Sequence, residues 1–157
     1  MIRRAQSGFT IIELLIVLSI LSILVRMALP AYRSVQRDAI ATQALGDYNT
    51  VRAAAVAQFE ATGAYAADGP AGVAPAGMAP FLPRNFTFDR PNYELDWEHF
   101  EVRDSVSGNG AVMALTITAS DTLVGRQILH LVGANTSHWS IGESHTFVIM
   151  STLEAPH

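Results

Sequence analysis

Hydrophobic and polar positions change their rhythm three times along this chain. Phe9–Leu29 is almost continuously apolar, and its 21 residues would span roughly 31 Å as a helix at 1.5 Å per residue. From Ala31 to about Ala61 the apolar residues thin into a stripe. Leu45, Tyr48, Val51, Ala55 and Phe59 recur at spacings of three and four, while Arg33, Arg37, Asp38, Asp47 and Arg52 supply polar surface. Pro30 lies between the two helical segments and predicts a kink, because proline removes a helix hydrogen bond and crowds the preceding turn. Gly46 weakens the second segment locally.

Thr62–Pro83 has no period and carries prolines at 70, 75, 80 and 83, which reads as a long connecting loop. After it the period becomes two. Phe86 and Phe88 alternate, then Tyr93, Leu95 and Trp97 around an Arg90-Pro91-Asn92 turn, and Phe100 and Val102 extend the pattern. Ser107-Gly108-Asn109-Gly110 predicts a turn, Val112–Ala119 a strand and His145–Met150 a final strand. Between them Asp121 is placed to cap a short helix with Val124, Ile128 and Leu131 on one face, stopped by Gly133. The expected fold is α+β: a long kinked N-terminal helix packed on a C-terminal antiparallel sheet. The segments are a leader at 1–8, an apolar helix at 9–29, its amphipathic continuation at 30–61, a loop at 62–83 and a β-rich part at 84–157.

Two charges bound the apolar run. Its strictly uncharged core, Leu14–Val25, is only 12 residues long, short for a bilayer span. Arg26 can snorkel along its own stem to an interface. Glu13 lies deeper in the segment, and a charged carboxylate near mid-bilayer costs roughly 2–4 kcal/mol. That cost predicts a partner for Glu13. Arg3 and Arg4 precede the run, so the leader is expected to stay cytoplasmic and the chain after Pro30 to face outward. Arg26-Met27-Ala28-Leu29-Pro30 forms no convincing small-residue cleavage site after the run, unlike an ordinary secretory signal.

The stretch Gly8-Phe9-Thr10-Ile11-Ile12-Glu13, with arginines before it and a long aliphatic run after it, resembles the processing motif of type IV pilins and type II secretion pseudopilins. Pro30, at the twenty-second position after Gly8, adds to the likeness, which covers about the first 55 residues well. The resemblance implies cleavage by a prepilin peptidase after Gly8 and N-methylation of Phe9. It implies an assembly role for Glu13 and a kink at Pro30. Cleavage would expose an amine on Phe9, with a reference pKa of about 8, and so supply the cation that Glu13 lacks. In the family the glutamate is thought to neutralise the N-terminus of an adjacent subunit.

Composition narrows the class. All ten basic residues are arginine, and removal of Met1–Gly8 leaves eight against fourteen acids, a side-chain balance of −6. An acidic chain is a poor general nucleic-acid binder. There is no cysteine, so the C-terminal disulfide of many major pilins cannot form, and the balance moves toward pseudopilins and disulfide-free pilins.

Candidate chemistry in the rest of the chain is thin. Five histidines form no H-E-x-x-H or other tight pair, and His138 and His145 lie seven apart around Gly142. Asp89, Glu94, Asp96, Glu98, Glu101 and Asp104 could offer oxygens to calcium. The alternation of Glu94, Asp96 and Glu98 with Tyr93, Leu95 and Trp97 instead reads as the solvated face of a strand. No phosphate loop, nucleophile elbow or zinc pattern is present, so neither an enzyme nor a resident cofactor is expected.

The expected function is that of a structural subunit of a type IV pilus-like or type II secretion-like filament. Such a subunit sits in the inner membrane as a single-pass protein with a cytoplasmic N-terminus. A peptidase cleaves it, and an assembly platform with its ATPase polymerises it with other pilin-like subunits into a periplasmic or extracellular filament. Alternatives are a minor tip or priming pseudopilin that binds secreted cargo, or a competence-type pilin that grips DNA through Arg84, Arg90 and Arg103.

Overall fold

A computed structural model describes residues 9–104 and 108–152, with the side chains of 103, 104, 108 and 109 excepted. The expected leader with Gly8, Ser107 of the expected turn and the last five residues lie outside it, while Gly108, Asn109 and Gly110, expected to turn, are extended and pair with Asp104, Arg103 and Val102. The chain divides into two compact units, Met1–Gln36 and Arg37–His157.

One helix, α1 (Ile11–Thr62), runs for 52 residues and stays helical through Pro30. Within the first unit the described side chains of the helix are exposed, its richest apolar window is 0% buried, and by length and composition it can cross a membrane. Its end is set by backbone chemistry. Gly63 adopts φ 74 and returns its N–H to the Phe59 carbonyl at 2.8 Å, a left-handed cap that glycine adopts without steric cost.

In the second unit α1 packs on a four-stranded antiparallel sheet in the order β1-β2-β4-β3. The strands are β1 (Tyr93–Asp104), β2 (Gly108–Ala119), β3 (His138–Ile141) and β4 (Ser144–Ser151). A short helix, α2 (Thr122–Val132), follows β2. Asp121 caps α2 by accepting the Leu123 N–H at 2.9 Å, and Val124, Ile128 and Val132 are buried.

The core between α1 and the sheet follows period-two logic on one side and helical spacing on the other. Tyr93, Leu95 and Trp97 of β1, Leu115 and Ile117 of β2 and Phe147 of β4 meet Ala41, Ala44, Tyr48, Val51 and Ala55 of α1. The Tyr48 and Phe147 rings pack edge-on at 6.0 Å.

Three further expectations need correction. Asn85–Phe88 is not a strand: among the described residues its neighbourhood pairs only through the isolated bridge Asp89–Glu94. Asn85 sits at φ 64, and the Thr87 hydroxyl accepts the Asp89 N–H at 3.2 Å, so the backbone turns locally instead of extending. Phe88 still reaches the core and Phe86 packs edge-on against it. The stripe on α1 is also displaced. Phe59 is 42% exposed, while Asp47 and Gln58 are buried. Finally, β3 was not expected. Ile141 pairs with Ser144 around Gly142 at φ 63, a two-residue hairpin turn that requires positive φ.

Candidate functional site

Thr10 and Glu13 together define the start of α1. The Thr10 hydroxyl oxygen accepts the Glu13 N–H at 3.3 Å, and the Glu13 carboxylate accepts the Thr10 N–H at 2.9 Å. The Thr10 hydroxyl also donates to the same carboxylate oxygen, Oε2, at 2.7 Å. This is a capping box, which satisfies two otherwise orphaned helix donors reciprocally. Glu13 thus has a partner inside its own chain. The sequence signal for it is Thr-x-x-Glu ahead of an apolar run, a partner of a different kind from the cation expected for Glu13.

The box uses only half of the carboxylate. Oε1 of Glu13 makes no hydrogen bond to another described residue. Phe9 lies immediately before the cap and is 76% exposed. Beyond it Ile11–Val25 presents aliphatic side chains on every side, all exposed, with Ser19 and Ser22 returning their hydroxyls to the helix carbonyls of Leu15 and Ser19. A helix that is apolar on every side and exposed along this length has the surface of a membrane-anchoring segment.

Residues 3–28 match the family model for the prokaryotic N-terminal methylation motif. The N-terminal segment carries that motif. It is characteristic of type IV pilins and pseudopilins, whose precursors prepilin peptidase processes. The motif together with a long apolar helix is consistent with membrane anchoring. No curated protein and no solved structure matches the chain.

The other candidate residues are arranged differently from the sequence expectation. Arg90 is not free to join a basic patch with Arg84 and Arg103. Its guanidinium is spent on Asp47, Nε to Oδ2 at 2.8 Å and Nη2 to Oδ1 at 2.9 Å, and it stacks over Phe86 at 5.0 Å. The Tyr93 hydroxyl donates to the same Asp47 oxygen at 2.6 Å, and burial, with Asp47 beside it, drives the phenol pKa up.

Glu94, Asp96 and Glu98 of β1 line one face, opposite Tyr93, Leu95 and Trp97, while Glu101 falls on the alternate position and is exposed. Glu94, Asp96 and Glu98 are half-buried, so that face is less solvated than alternation alone suggested. Burial chiefly, then the charges of Glu98, Asp68 and Glu94, push the Asp96 pKa up to about 6.

His145 is buried, and its Nδ1 lies 2.7 Å from the Ser140 hydroxyl. Burial first, then His138, lowers its pKa. His138 turns its own Nδ1 to the Thr136 carbonyl at 2.9 Å. Among the described residues no three histidine or carboxylate side chains converge as metal ligands would.

Proposed function

We propose that this protein is a structural subunit of a type IV pilus-like or type II secretion-like filament, without catalytic activity of its own. Prepilin peptidase would cut after Gly8 and methylate Phe9. The apolar half of α1 would hold the subunit in the inner membrane, then move from lipid into a bundle of like helices as an assembly platform and its ATPase extend the filament. The unit formed by residues 37–157 would coat that bundle.

The observation that carries this reading is the half-used carboxylate of Glu13 at the mouth of a helix that is apolar on every side and exposed. The capping box orients the side chain through Oε2 and leaves Oε1 for an incoming cation. In low dielectric a protonated amine is the group that offsets the cost of the charge best. Cleavage creates such an amine on Phe9 of each subunit, and a neighbour's amine would register two helices axially.

The test is co-expression with a prepilin peptidase and a filament assembly system. The mature protein should begin with N-methylated Phe9 by mass spectrometry. Glu13→Leu should still insert and be cleaved, yet give no filaments in sheared fractions. Normal filaments from that variant, or a chain left uncut at Gly8, would defeat the proposal.

A further inference from the structure

The sheet has a second face, turned away from α1, and it is divided between acid and aromatic character. Strand register places its side chains in rows. Glu94, Thr118, Ser144 and Ile141 form one row; Asp96, Thr116, Thr146 and Trp139 the next. Glu98 pairs with Ala114, which pairs with Val148, and Phe100 pairs with Val112. Every row therefore starts on β1 with a carboxylate until Phe100, and the far strand carries Trp139 and Ile141.

Phe100 and Trp139 belong to the two outermost strands, yet their ring centroids are 5.9 Å apart. Two strands, β2 and β4, lie between them, so the rings lean toward each other over the sheet. Beneath and beside them is a cavity of about 410 Å³ lined by Phe100, Val102, Val112, Ser137, Trp139 and Val148. That volume is in the range of small-ligand sites and suits one aromatic or large aliphatic group. Phe100 is 38% exposed and Trp139 40% exposed, so the two rings at the cavity are open to the outside among the described residues.

The charge at the other end is equally unanswered. None of Glu94, Asp96 and Glu98 has an ion pair among the described residues, and the row positions named above include no arginine. One Glu98 oxygen accepts from the Thr116 hydroxyl at 3.2 Å. Val148, in the Glu98 row, is itself a wall of the cavity, so acid and cavity adjoin by register.

The geometry points to a docking site on this face for a basic peptide segment of a partner protein, its aromatic or large aliphatic side chain seated between Phe100 and Trp139 and a flanking arginine or lysine paired with Glu98 and Asp96. Apolar anchoring in a desolvated pocket would supply affinity, and the acids orientation and partner choice. The site stands on the sheet alone and does not depend on the filament role.

The experiment uses the full chain in phosphatidylcholine nanodiscs, titrated with acetyl-Arg-Phe-Arg-amide. Trp139 emission is the reporter, since Trp97 is 1% exposed and shielded from ligand. Saturable binding is expected, weakened at least about fivefold by Glu98→Gln and by replacing the peptide arginines with glutamate. It should be abolished by Val112→Arg, which fills the cavity and adds a positive charge that repels the peptide arginines, and by replacing the peptide phenylalanine with alanine. Unchanged near-UV dichroism of Val112→Arg would show that the variant is folded; if it is not, Glu98→Gln and the peptide series decide alone. The proposal is overturned if binding is not saturable, if empty nanodiscs bind as well, or if the glutamate peptide binds equally. Self-association of the chain that competes with peptide would overturn it too, because the occupant would then be a second copy.

Discussion

Asp47, in the middle of α1, and Arg90, just ahead of β1, form a two-point ion pair at 2.8 and 2.9 Å across 43 residues of sequence. The pair ties the helix to the turn that launches the sheet. Its geometry is the forked one in which arginine matches a carboxylate best. Tyr93 adds a third bond to the same carboxylate.

The first prediction concerns this clamp. Asp47→Ala would leave the Arg90 cation half-buried with no partner and should destabilise the 37–157 unit by about 3 kcal/mol. Tyr93→Phe should cost about 1 kcal/mol, the worth of one hydrogen bond. The double variant Asp47→Ala with Arg90→Ala should cost less than the two single changes added together, because no lone charge remains. Denaturant unfolding followed at Trp97 measures all four. Strict additivity would show that the pair is not coupled.

Gly46 gives a prediction of opposite sign. It lies inside α1, exposed, and a Cβ built there meets nothing within 4 Å. Gly46→Ala should therefore stabilise the helix by about 1 kcal/mol. If filament assembly tolerates that variant unchanged, a soft point at Gly46 has no part in assembly.

Much of this architecture was legible because periodicity reports burial directly. Tyr93, Leu95 and Trp97 alternate in the sequence and all three are buried. Val124 and Ile128 share a buried face of α2, behind an Asp121 cap that was visible beforehand. Asp47 was illegible for a physical reason. A charged residue on a helix is ordinarily solvated, and its burial depended on Arg90 and Tyr93, whose approach no local pattern encodes. Phe86 and Phe88 misled because alternation does not register a backbone turn held by Thr87 and Asn85. The Thr10–Glu13 capping box is a local pattern in the sequence, but the cost of a charge in lipid directed the expectation for Glu13 to a cation instead.

Asp96 should make stability fall as pH rises. Its carboxyl takes up a proton at about pH 6 in the fold, against an ordinary value of 3.8. A group with a raised folded pKa contributes stability that is complete below its unfolded pKa and is lost as pH climbs through the folded one. Asp96→Asn removes that loss. Its melting temperature should exceed that of the native chain at pH 7.5, and the gain should shrink toward zero at pH 4. An equal gain at both pH values would assign the effect to packing, not to the buried charge.

Gly125 of α2 is buried and lies against His145 of β4 and Ala119 of β2. A Cβ there would lie 3.0 Å from Nε2 of His145 and 3.4 Å from Cβ of Ala119. The contact to Ala119 is ordinary but the one to His145 is tighter than side chains normally accept, so Gly125→Ala must shift the imidazole or α2 by a few tenths of an ångström and should cost about 1–3 kcal/mol. The histidine supplies an independent readout. Burial and His138 hold its pKa below the usual value of 6.5. The stability tied to it is therefore complete above pH 6.5 and is lost as pH falls, when the unfolded chain takes up a proton that the folded one refuses. Displacing the ring toward water in Gly125→Ala should raise the His145 pKa toward 6.5, measurable by NMR titration of the imidazole. It should also flatten the fall in stability below pH 6.5. An unchanged His145 titration in a destabilised variant would place the strain on the α2 backbone instead.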